Sequence, residues 1–196
     1  MVSVNLDKVT EFGKIKDIWT DDDDQSGLLE FVNNVVMNMN MFDEKNNNGY
    51  GIMLPSLSDI YVLVSTPDFP FDQIKNTHNT SMEKFSLSNK QFVLGYIWLC
   101  PWKLKKENYA PYHFIKFIDS RISGLNIAKY MIDKYEECDE ECVLFPYEID
   151  SKACGYWKKY LHKSYDIKSK NDLQKMITDF DFKTGDIKWD SLNELF

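Results

Sequence analysis

The residues of this chain best equipped for chemistry are consecutive: Arg121, Ile122, Ser123, Gly124, Leu125 and Asn126. They follow an apolar, aromatic run ending in Asp119 and precede an amphipathic one, so a strand is expected to pass through a short polar turn straight into a helix. The first turn of a helix leaves backbone N–H groups without intrahelical acceptors at the positive end of the helix dipole, which suits an anion. Gly124 lets backbone approach a phosphate closely, Ser123 adds a hydroxyl, and Arg121 adds a planar donor fork matched to phosphate oxygens. Arg121 is the sole arginine, the other basic residues being lysines. The hexapeptide also reads as an ordinary strand-to-helix turn with an exposed arginine, and taken alone it leaves both readings open.

The whole-chain totals narrow the classes of ligand. The 196 residues carry 23 Lys and Arg against 31 Asp and Glu, a net charge of −8. A nucleic-acid or anionic-membrane partner would have to overcome that field, so neither is expected. The deficit is local: residues 1–80 hold 13 acids against 5 lysines, including the run Asp21 to Asp24, whereas residues 81–196 hold 18 of each sign. No long apolar run and no basic start followed by an apolar block occurs, which predicts a cytoplasmic protein. Cys100, Cys138, Cys142 and Cys154 follow neither a zinc spacing nor a disulfide framework, and no histidine flanks Cys138 and Cys142, so no metal is expected. No G-x-S-x-G is present, and His78, His113 and His162 have no motif partner, which removes a nucleophilic hydrolase.

The elements that must position the turn are legible as patterns. Leu6, Val9, Phe12, Ile15 and Ile18, three apart, predict one helix over 6–19, and Leu28 to Met39 behind the N-cap Ser26 a second to about Phe42. A short strand is expected around Tyr50 to Leu54 and a stronger, β-branched one at Ile60 to Ser65; residues 67–90 read as a loop excursion. Gln91 to Cys100 and Tyr112 to Ile118 are expected as neighbouring strands. Leu125, Ala128, Met131, Ile132 and Tyr135 mark the buried face of the helix after the turn. A strand at Cys142 to Pro146, a helix at Ser151 to Leu161, helical turns near Leu173 to Thr178 and a last strand at Asp179 to Lys188 complete one domain over 1–196. The order implies an α/β or α+β fold with a mixed, mostly antiparallel sheet flanked by helices.

At Arg121-x-x-Gly124-x-Asn126 the sequence resembles the pyrophosphate loop, Q/R-x-x-G-x-G/A, of the GNAT superfamily of acyl-CoA-dependent N-acetyltransferases. Downstream, Asp150-x-x-Ala153-x-x-Tyr156-Trp157-x-Lys159 is similar to that family's N-x-x-A-x-x-F-Y-x-K. The resemblance, over about residues 5–166, implies a splayed strand pair forming an acyl-CoA cleft and acetyl-CoA as co-substrate. It implies cofactor contacts from Phe117, Ile118, Asp119, Arg121, Ile122, Ser123, Gly124, Leu125, Asn126, Asp150, Ala153 and Trp157. It also implies direct attack of a small-molecule or peptide amine on the thioester. An alkylammonium with a pKa of about 10 must first lose a proton, and His113 and Glu148 are the base candidates. The family's thiolate-protonating tyrosine falls at Trp157 here, so that role passes to Tyr156, to Tyr160 or to water. A non-catalytic module that binds acyl-CoA or a partner is the alternative, and a homodimer stays open.

Overall fold

The computed structural model describes residues 4–18, 60–75, 92–102, 112–122, 124–138, 143–146 and 153–179. Its elements give a mixed α+β fold in which a five-stranded sheet, four strands antiparallel and the last parallel to its neighbour, is accompanied by helices. The chain divides into two compact units, Met1–Cys100 with Phe117–Glu140, and Pro101–Lys116 with Glu141–Phe196. The helix expected over 26–42, the strand around 50–54, Asp21 to Asp24, residues 76–90 of the excursion and nearly all of the strand at 179–188 lie outside the described residues.

In the first unit the N-terminal segment corrects the expectation of a helix over 6–19. It folds as α1 (Leu6–Val9), β1 (Thr10–Lys14) and α2 (Ile15–Ile18). The Thr10 hydroxyl donates to the Leu6 carbonyl at 2.6 Å and closes α1. The next five residues then pair antiparallel with β2 (Ile60–Ser65), from Thr10↔Ser65 to Lys14↔Tyr61. A spacing of three serves both arrangements, because Leu6 and Ile15 are buried from short helices on either side of a strand. β-branched Thr10 and Gly13 are poor helix formers, and a sheet ladder supplies the backbone partners that a continuous helix would have made internally.

β2 is buried along nearly its whole length and pairs antiparallel with β3 (Val93–Trp102), with an irregularity between Leu63 and Val64. A five-residue helix α3 (Phe71–Lys75) sits inside the expected excursion. β3 neighbours β4 (Tyr112–Ser120), as the sequence suggests, and α4 (Ile127–Cys138) follows. Ile15, Ile60, Val62, Val64, Val93, Tyr96 and Trp98 form one core cluster. α4 buries Ile127, Met131, Ile132 and Tyr135, so Ile127 takes the place that periodicity gave to Leu125 and Ala128, both half-buried.

In the second unit the first half of β4 runs parallel to β5 (Val143–Pro146), from Tyr112↔Val143 to Ile115↔Pro146. Parallel neighbours need a crossover, and α4 lies between them in the chain. α5 (Cys154–Tyr165) buries Trp157 and Leu161. It ends at Asp166, whose φ of 55° makes a left-handed cap in which the Asp166 N–H donates to the His162 carbonyl and the Ile167 N–H to the Leu161 carbonyl. α6 (Lys170–Asp179) begins behind Ser169, whose hydroxyl accepts the Asp172 N–H at 3.2 Å while Asp172 accepts the Ser169 N–H at 3.0 Å.

Candidate functional site

The turn between β4 and α4 is fixed at its start by backbone. Arg121 N–H donates to the Leu94 carbonyl at 2.9 Å, continuing the strand contact by one residue past β4. The Ser120 hydroxyl donates to the Ile122 carbonyl at 3.2 Å, and Ile122 is fully buried. Left-handed backbone follows at Gly124, with φ of 82°, and at Asn126, with φ of 54°, both exposed. Asparagine visits this left-handed region more readily than other side-chain-bearing residues. The Asn126 carbonyl accepts the Tyr130 N–H at 2.9 Å and so opens α4. The first turn of α4 holds no acidic residue and includes Lys129. An anion approaching this helix end therefore meets no carboxylate from that turn.

Arg121 differs from the exposed donor that its sequence context suggests. Its side chain is only 10% exposed, and its Nε lies 2.9 Å from Asp119 Oδ2. The N–H is off the line to that oxygen, so the contact is a charge pair rather than an aligned hydrogen bond. The guanidinium carbon sits 6.0 Å from the ring centre of Tyr96, which is itself fully buried and stacked on Phe117 at 5.8 Å. Phe117, Ile118 and Asp119 are half-buried on β4.

Sequence reading missed Gly95. A Cβ placed there would lie 2.7 Å from the Asp119 carbonyl oxygen, 2.9 Å from Met131 and 3.0 Å from Ile127. β3, the end of β4 and α4 therefore converge on a position that only glycine allows. The available signal was an isolated glycine inside the strand run QFVLGYIWLC, which marks a close backbone approach.

In the second unit, Ala153 precedes α5, and Tyr156 and Trp157 lie in that helix's first turn. Trp157 is buried, edge-on to Tyr156 and to Tyr160 at 5.3 Å each. Tyr156 is half-buried and stacks on Tyr160 at 6.1 Å. The Tyr160 and Tyr165 hydroxyls are 3.3 Å apart, and the Tyr165 oxygen accepts the Leu144 N–H of β5 at 3.2 Å. This phenol pair, absent from the motif comparison, ties α5 to β5. His113 stands on β4 opposite Leu144 in the ladder. Ser123, Glu148 and Asp150 lie outside the described residues.

Elsewhere in the first unit, Lys134 bridges Asp7 at 2.9 Å and Glu137 at 2.8 Å, and the Tyr130 hydroxyl donates to Asp7 at 3.1 Å. The Lys134 and Tyr130 bonds hold the Asp7 carboxyl below its usual value, and bonds from Glu137 and Asp7 raise Lys134. Burial raises the Tyr130 phenol. A shallow pocket of about 430 Å³ is lined by Pro67, Phe69, Phe71, Asp72 and Phe92 among others. Phe71 packs against both other rings at 4.6 Å, so the trio fills itself as an apolar cluster.

Among the described residues, no group of three or more His, Cys, Asp or Glu could hold a metal ion, and no helix is long and apolar enough to cross a membrane. The chain matches no family model, no curated protein and no solved structure.

Proposed function

We propose that this chain is a GNAT-type N-acetyltransferase that transfers the acetyl group of acetyl-CoA directly to a primary amine. The observation that carries the reading is the turn backbone. Gly124 and Asn126, at the two small-residue positions of the resembled loop, both have positive φ directly ahead of α4. Supporting it are the antiparallel pairing through β3, the parallel β4–β5 pair, and a helix between those two strands in the chain.

In this reading the pyrophosphate of acetyl-CoA lies against the N–H groups of the turn and the start of α4. Pantetheine amides pair with the β4 backbone at Phe117, Ile118 and Asp119. The deprotonated amine nitrogen attacks the thioester carbon, the C–S bond breaks, and the thiolate takes up a proton. His113 or Glu148 removes the amine proton. For the thiolate, Trp157 has no acid to offer. The Tyr165 hydroxyl, already fixed by the Leu144 amide, can donate to Tyr160 and stabilise a Tyr160 phenolate. That arrangement favours Tyr160 over Tyr156 as the donor.

The test is thiol release from acetyl-CoA by purified protein across sugar amines, polyamines, peptide N-termini and lysine side chains. Release that depends on one amine class supports the reading. Failure of the protein to bind acetyl-CoA overturns it. Trp157, buried at the family's tyrosine position, favours a second reading in which the domain binds acyl-CoA without turnover. Saturable binding with no release by any amine is its signature.

A further inference from the structure

We propose that Arg121 is an internal brace of the β4–α4 turn, held by Asp119 and Tyr96, and not a ligand of the bound anion. The brace stands on the geometry alone; its consequence for acetyl-CoA rests on the function proposed above.

A cation that is nine-tenths buried needs a counter-charge within the fold. Asp119 supplies it at 2.9 Å, from two residues earlier, near the end of β4. The guanidinium carbon lies 6.0 Å from the centre of the Tyr96 ring, at the outer limit of a cation–π contact, and Tyr96 is itself held by its stack on Phe117. The main chain is fastened at the same crossing, through Arg121 N–H to Leu94 and through the close approach of Gly95 to the Asp119 carbonyl. Side chain and backbone thus fix one point, the last residue before the turn. Among the described residues of the turn, Gly124 and Asn126 are the exposed ones, and their backbone conformations set the direction of the following N–H groups. Arg121 acts on a ligand through that backbone, which makes it a positioning residue.

Brace and ligand predict different patterns in Asp119→Asn, Arg121→Ala and the double variant. Three readouts are needed: thermal midpoint, hydrogen exchange at the Arg121 amide, and acetyl-CoA affinity by calorimetry. A brace predicts that each single variant lowers Tm by roughly 3–10 °C and speeds Arg121 exchange about tenfold or more. The double variant is then no worse than the poorer single one, and the two singles weaken acetyl-CoA binding to a similar extent. Arg121→Lys, which keeps the charge without the planar fork, recovers part of the Tm. The proposal is overturned if Arg121→Ala weakens acetyl-CoA binding tenfold or more with Tm and exchange unchanged while Asp119→Asn binds normally. It is overturned equally if neither single variant moves Tm or exchange. If the wild type binds no acetyl-CoA, the proposed function fails, and the Tm and exchange coupling still decides the brace.

Discussion

At the scale of single residues, glycine and asparagine conformations decide what the turn can tolerate. Gly95→Ala places a methyl against the Asp119 carbonyl, which belongs to backbone and cannot swing aside. Overpacking of this kind costs about 1–3 kcal/mol, so the variant should melt earlier, and an unchanged Tm would show that β3 and β4 separate freely there. Asn126, at φ of 54°, makes a paired prediction. Asn126→Gly should leave stability near wild type, whereas Asn126→Val should lose about 1–2 kcal/mol by denaturant titration. Equal stability of the two would mean that the turn adopts another backbone. Much of this was legible: the hexapeptide announces a strand, a tight turn and a helix. The partners of Arg121 were only half so. Asp119 lies only two residues away in the chain, but Tyr96 becomes a neighbour only through the pairing of β3 with β4, which local pattern does not specify.

At the scale of elements, exposed polar and charged contacts link α1 to α4. Asp7 is the hinge of that junction, accepting from both Tyr130 and Lys134. Its folded carboxyl titrates below the ordinary aspartate value of 3.8. The stabilisation is therefore fully present above that pH and is lost as pH falls through the lower, folded value. Asp7→Asn should be less stable than wild type by a small, constant margin near neutrality, small because the pair is exposed and screened. The margin should close below about pH 3.8 and shrink in high salt. A Tm difference that persists in strong acid would assign the effect to packing instead. The same region shows where periodicity misleads, since a spacing of three cannot distinguish one long helix from two short ones flanking a strand. β2, with five of its six residues buried, and the Ser169-x-x-Asp172 capping pair before α6 were both open to sequence reading. The Tyr165 link to β5 was not, because it joins residues 21 apart through a phenol that no short motif registers.

At the scale of the whole molecule, charge is the property that sequence states most directly and that pairwise contacts use least. All of the net −8 falls in residues 1–80, and the remaining 116 residues are neutral in sum. If the chain is an acetyltransferase of the proposed type, the resemblance puts its N-terminal segment beside the amine, and the aspartate run Asp21 to Asp24 belongs to that segment. A negative potential there raises the local concentration of a cationic acceptor and speeds encounter, while leaving the binding of an anionic co-substrate at another part of the fold little changed. Conversion of the four aspartates to asparagine should then raise KM for a cationic amine at low salt, with acetyl-CoA affinity held within about twofold. The rise should fade as ionic strength shortens the Debye length to below about 10 Å. An unchanged KM at low salt would make the run a solvated surface feature, and would direct the search for the acceptor toward neutral or anionic amines such as an amino sugar nucleotide.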